Sequence, residues 1–220
     1  MQARTIRSLV VLVLPLVTTS ALAQGTDTLR LQPAARLSEA DEISLARTAA
    51  PASIADRASI WVLGDSGYRK AVTGSNGFGC IVQRGTSGQS LIPRCDDANG
   101  VETLYPGFVL LEEMRAKRAL VREYRTAAAE AYRSGRLRAP RWGGFSYMYS
   151  TDAVFVTADG RRIPFTPHVM IYWPNCGLGD LGMTKSEDMR GTGLALLDLG
   201  TPECHLIINT PPETARSSGR

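Results

Sequence analysis

The chain has 220 residues, 25 Lys plus Arg against 21 Asp plus Glu, 44% hydrophobic residues and four cysteines. That length suits one domain with a substantial core, which excludes the very small secreted folds that depend on disulfides alone. The net charge of +4 falls to +2 if Arg4 and Arg7 leave with an amino-terminal leader, a balance too small to predict a polyanion, so no nucleic-acid partner is expected.

Residues 1–23 read as a secretory signal peptide. Arg4 and Arg7 precede an apolar run from Leu9 to Val17, and Ala21-Leu22-Ala23 supplies the small residues of a cleavage site before Gln24. The run is shorter than the roughly 20 residues that span a bilayer, and Pro15, Thr18, Thr19 and Ser20 interrupt it. No later segment is apolar enough to cross a membrane, so the expected location is the periplasm or the exterior, with an envelope component as a candidate partner.

Residues 24–37 are polar and read as a flexible linker into a single domain over 38–210. Ser38, followed by Glu39 and Asp41, predicts a helix start, and Pro51 ends that helix near Ala50. Strand-type runs follow at 58–63, 68–73 and 78–83, separated by a Gly64–Gly67 turn and by Asn76-Gly77, a dipeptide that tolerates positive φ in hairpins. The Gly-, Ser- and Pro-rich stretch leading to Cys95 reads as a loop.

From Tyr105 to about Ser134, Leu110, Met114, Val121, Tyr124, Ala128 and Ala131 recur at helical spacing. One helix roughly 40 Å long is predicted, with Gly135 past its end. Its arginines alternate with Glu112, Glu113, Glu123 and Glu130, which reads as a solvated face and not a binding patch. Beyond Pro140, 145–149 alternates, Asp159-Gly160 marks a hairpin, and 168–173 reads as a central strand. A loop with five glycines covers 177–193, strands at 194–199 and 205–209 complete the sheet, and 211–220 reads as a disordered tail. The class is α+β: an antiparallel sheet of several short strands, with one long helix and a shorter N-terminal helix packed on one face.

In an exported chain an even number of cysteines is expected to pair, and the sequence-local choice among three connectivities is Cys80 with Cys95 and Cys176 with Cys204. No Cys-x-x-Cys pair suggests zinc, and neither metal nor cofactor is expected. Ser146, Met148 and Ser150 share one strand face, and Phe145, Tyr147 and Tyr149 the other; that aromatic row is either a binding face or core beneath the long helix. The leading functional expectation is a non-catalytic domain that binds a small ligand, peptide or envelope component through loop 177–193 and neighbouring strand ends, with Tyr147, Tyr149 and Asn175 as binding candidates. The alternative is a hydrolase in which His168, oriented by Asp180, acts on Ser146, Ser150 or a water. No Gly-x-Ser-x-Gly elbow, P-loop, GxGxxG, HExxH or EF-hand loop supports an enzyme of those types.

The segments SIADRASIWVL, GSNGFGCIVQR, PRCDDANG, SYMYS and PHVMIYWPN with LGDLG, in that order over residues 53–209, resemble an uncharacterised family of exported bacterial proteins. The resemblance implies export and a shared domain and adds no activity. Cys80 and Cys95 match its pattern.

Overall fold

This computed structural model of the chain describes residues 28–210 apart from Ala158, Pro164 and Arg190. The leader, the first four residues of the linker and the tail expected from the sequence lie outside the described residues.

Helix α1, Glu39–Arg47, begins where Ser38 Oγ accepts the Asp41 backbone N–H at 3.1 Å. A short α2, Ala52–Ala55, follows Pro51. Strands β1 (Ser59–Gly64), β2 (Gly67–Val72), β3 (Gly79–Gln83) and β4 (Ile92–Asp96) come next, then α3 (Ala98–Thr103), α4 (Tyr105–Ala116) and α5 (Val121–Arg133). The remainder holds β5 (Phe145–Met148), β6 (Phe155–Val156), β7 (Arg162–Ile163), β8 (His168–Tyr172), β9 (Leu194–Leu197) and β10 (His205–Asn209). One eight-stranded sheet has the order β2-β1-β3-β4-β5-β8-β10-β9, and β6–β7 form a separate hairpin turning at Gly160, φ 86°. Every pairing in the large sheet is antiparallel except β1 with β3, so the class is α+β.

The parallel pair replaces the hairpin that Asn76-Gly77 suggested. The Ser75 and Asn76 backbone N–H groups both donate to Arg57 O, which pins the chain against the foot of β1. Gly74 passes so close to residues 57–59 that a Cβ there would lie 2.3 Å from Ala58 C. After this crossing β3 can only run alongside β1, and β2 remains at the sheet edge.

The single long helix expected over 105–134 is two helices. Arg118, at φ 54°, breaks the run, and the Glu123 carboxylate accepts the Leu120 N–H to begin α5. The cause lies in the lead-in: Leu31 N donates to Ala119 O at 2.9 Å, Val121 N donates to Leu29 O, and Leu31 is buried beside Leu111 and Val121. Tertiary pairing thus overrides local helical periodicity, and Leu29 and Leu31 of the expected linker are the residues that pack against the break. The helices also take both faces of the sheet. Ala46 and Ala49 of the α1 region cover Ile60, Val62, Cys80 and Cys95 on one face, whereas Tyr105 and Phe108 of α4 cover Ile81, Trp61 and Tyr172 on the other. The buried pair Arg84–Glu42, 2.7 Å, ties α1 to the end of β3.

Both disulfides are present. Cys80 and Cys95 face each other across β3 and β4 with Cα atoms 4.0 Å apart, and Cys176 joins Cys204 at 5.6 Å. Each bridge lies in its own half of the sheet. The halves meet where β4 pairs β5 over two positions, Cys95 with Tyr147 and Asp96 with Ser146.

Candidate functional site

Strand alternation decides what this sheet offers its surroundings. On the α4 face, β4 presents Ile92 and Arg94, β5 presents Met148, β8 presents His168, Met170 and Tyr172, and β10 presents His205 and Ile207. Helices α3 and α4 cover only the Tyr172 end of β8, and the β6–β7 hairpin closes part of the remaining gap over His168 and Met170. That hairpin is anchored where Ser87 and Ser90 hydroxyls donate to Val156 O at 2.7 and 3.1 Å. Between Phe108 of α4 and Phe155, Ile163 and Phe165 of the hairpin region lies a cleft of about 660 Å³, floored by those strands. This is within the usual size of a small-molecule site.

The wall toward β4 is a closed polar network. Arg94 Nε donates to Asp96 Oδ2 at 2.9 Å, Nη2 donates to Oδ1 at 2.5 Å, and Nη1 donates to Gln83 Oε1 at 3.1 Å. Tyr172 Oη donates to Asp96 Oδ1 at 2.7 Å, and the Arg94 guanidinium lies 5.2 Å from the Phe108 ring centre. Burial, followed by the Asp96 charge, raises the Tyr172 phenol well above its ordinary value, so it stays a donor. The Arg94 charge is thereby directed at Asp96.

Both histidines face the cleft in the same manner. His168 Nδ1 lies 2.6 Å from Thr166 O, and His205 Nδ1 lies 2.8 Å from Glu203 O. A carbonyl only accepts, so Nδ1 carries the proton in each ring. Burial lowers both pKa values, and the neutral rings keep Nε2 as an acceptor. His205 Nε2 is buried without a hydrogen-bond partner. Beside it, Tyr132 Oη donates to Glu203 Oε1 at 2.5 Å, and burial raises the Glu203 carboxyl. Asp198, exposed and at φ 54°, completes that end. In the β8–β10 register His168 stands opposite Asn209 and His205 opposite Tyr172. The two imidazoles are therefore four residues apart along the strands, about 13 Å at the usual rise, with Met170 and Ile207 between them.

The residues singled out from sequence do not assemble into one place. His168 is on the cleft face. Asp180 is in an exposed 3-10 turn, Leu178–Leu181, where its Oδ2 accepts the Gly177 N–H at 2.7 Å. Leu178, Leu181 and Met183 pack against Leu196 and Leu206, whose side chains leave the opposite face, so the sheet separates Asp180 from His168. Ser146 is fully buried, its Oγ without a hydrogen-bond partner, opposite Asp96 in the β4–β5 register. Ser150 accepts the Thr48 hydroxyl at 2.7 Å. The arrangement expected for a hydrolase is thus not formed by these side chains.

Tyr147 and Tyr149 lie half-buried on the α1 face in a row with Phe78 and Phe145, ring centres 5.2 to 6.2 Å apart. They are not beneath α4 and α5, which occupy the other face. Asn175, exposed at φ 62°, forms the turn into Cys176 and donates its backbone N–H to Thr201 O. Leu178, Leu181, Met183 and Met189 of loop 177–193 pack around the Cys176–Cys204 bridge, and none of the loop's described residues lines the cleft.

Arg94, Asp96, Tyr172 and Glu203 escaped sequence reasoning. The one available signal was Arg94-x-Asp96, an alternation that places both side chains on a single strand face. Compared with known protein families, curated proteins and solved structures, the chain matches none of them.

Proposed function

We propose that this protein is an exported, non-catalytic domain that holds a small amphipathic molecule in the cleft between α4 and the β6–β7 hairpin. The carrying observation is the order of the floor: Met148, Met170 and Ile207 form an apolar middle, and hydrogen-bonding groups at His168 and His205 stand at either end. An apolar body with a polar end matches such a lining. Export is supported by the leader-like sequence, by two disulfides, and by the lack of any helix among the described residues long and apolar enough to cross a membrane.

The test is a fluorescence titration of the mature, oxidised protein with the neutral dye N-phenyl-1-naphthylamine. Saturable binding is expected, and Ile207→Trp, which fills the middle of the floor, should abolish it while circular dichroism stays unchanged. A folded wild-type protein that shows no saturable signal would overturn the proposal, as would dye binding indifferent to Ile207→Trp.

A further inference from the structure

The end of the cleft at β10 is built almost wholly of acceptors. His205 uses its only proton on Glu203 O, which leaves the buried Nε2 lone pair without a donor. A buried polar atom with no partner calls for a group that the protein itself does not supply. Glu203 receives one hydrogen bond, from Tyr132 to Oε1, and Asp198 adds a second carboxylate at the rim. Arg94 is the sole lysine or arginine among the described residues lining the cleft, and its guanidinium is committed to Asp96 and Gln83.

The balance of charge at this end is therefore acidic, next to the apolar middle of the cavity. A carboxylate or phosphate head would meet Asp198 and Glu203 with no free cation to offset them. A protonated amine brings donors and positive charge together, and in a partly desolvated site such a charge-assisted bond is about twice as strong as a neutral one. Building on the cleft as a binding site, we propose that it selects molecules with an apolar body and a protonated primary or secondary amine head, the head seated among Glu203, Asp198 and His205 Nε2.

The experiment is displacement of N-phenyl-1-naphthylamine from the mature protein at neutral pH by decylamine, decanol and decanoate, which share one chain length and differ in head group. Decylamine should displace the dye at a concentration about tenfold below that of decanol, equal to one favourable charged contact of about 1.4 kcal/mol, with decanoate weakest. In the double variant Glu203→Gln with Asp198→Asn, displacement referred to that variant's own dye affinity should show no preference for the amine. The glutamine keeps an oxygen for Tyr132, so the fold has no reason to fail. Decanoate equal to or better than decylamine, no displacement by any of the three, or a preference that persists in the double variant would each overturn the head-group assignment. Failure of the dye itself to bind would instead remove the underlying site.

Discussion

Tyr172 on β8 donates its phenolic hydrogen to Asp96 on β4, 2.7 Å away and 76 residues earlier, reaching across the intervening β5. Asp96 is fully buried and also receives Arg94, so the bond closes a network with two charges inside it. Tyr172→Phe should lower stability by about 1.5–3 kcal/mol, the cost of losing a hydrogen bond to a charged group. Asp96→Ala should cost about 3–5 kcal/mol, because it leaves the Arg94 charge buried and uncompensated. Urea unfolding followed by tryptophan fluorescence reads both, and a Tyr172→Phe loss under about 0.5 kcal/mol would show that the bond is not formed in solution.

Gly100 in α3 touches that same pair. A Cβ there would lie 2.3 Å from Tyr172 Oη and 2.8 Å from Asp96 Cβ. Gly100→Ala should destabilise by about 1–3 kcal/mol through overpacking, despite the better helix propensity of alanine. In the Tyr172→Phe background the cost should shrink, since the nearest clashing atom is gone. Equal costs in the two backgrounds would count against this geometry.

The disulfides divide the stabilisation. Cys80–Cys95 closes 15 residues and Cys176–Cys204 closes 28. Loop-closure entropy assigns them about 3 and 3.5 kcal/mol. The paired variants Cys80→Ala with Cys95→Ala, and Cys176→Ala with Cys204→Ala, should show losses of that order in urea. Because the bridges lie in separate halves of the sheet, the two losses should add. Intact-mass analysis of the oxidised wild type after alkylation without reductant should find no modified thiol.

Stability should fall on mild acidification. Burial holds His168 and His205 below 6.5 in the folded state, so below that value the unfolded chain binds protons that the native rings refuse. Their neutral form is compatible with the fold above about pH 6.5, and stability declines as pH falls through the window beneath it. Glu203 acts in the opposite sense: its raised carboxyl favours the folded state below 4.5, and that contribution is lost as pH rises through the folded value. The groups acting on His205 are Glu203, Arg94, Asp198 and His168. His205→Gln should flatten the decline between about pH 6.5 and 5, whereas Glu203→Gln should steepen it; thermal unfolding across that range measures both slopes.

Much of the strand content could be read in advance because the strands carry β-branched and aromatic runs between turn residues, as at 59–64 and 168–172 of the large sheet and in the separate hairpin at 155–163. β4 could not. Its sequence, Ile-Pro-Arg-Cys-Asp, holds a proline and two charges, and it forms a strand because Arg94 and Asp96 satisfy each other inside the protein. The break at Arg118 was invisible for a related reason: it depends on Leu29 and Leu31, which lie almost ninety positions away in sequence. The same limit applied to the candidate site. His168 stood out as a rare residue, but its neighbours in the cleft come from β4, β10 and α4, and no spacing rule connects them.

The ladder between β4 and β5 is only two residue pairs long, and it is reinforced at its end and from above: Asp97 N donates to Phe145 O, Phe145 N donates to Asp97 Oδ2, and Tyr172 reaches Asp96 across it. Each half of the sheet also holds its own sulfur bridge. The cleft spans that line, with Ile92 and Arg94 on one side and His168, Met170 and His205 on the other. The cavity floor therefore rests on a seam locked by side chains more than by a long ladder, and its shape depends on Asp96 and Tyr172 keeping their bond.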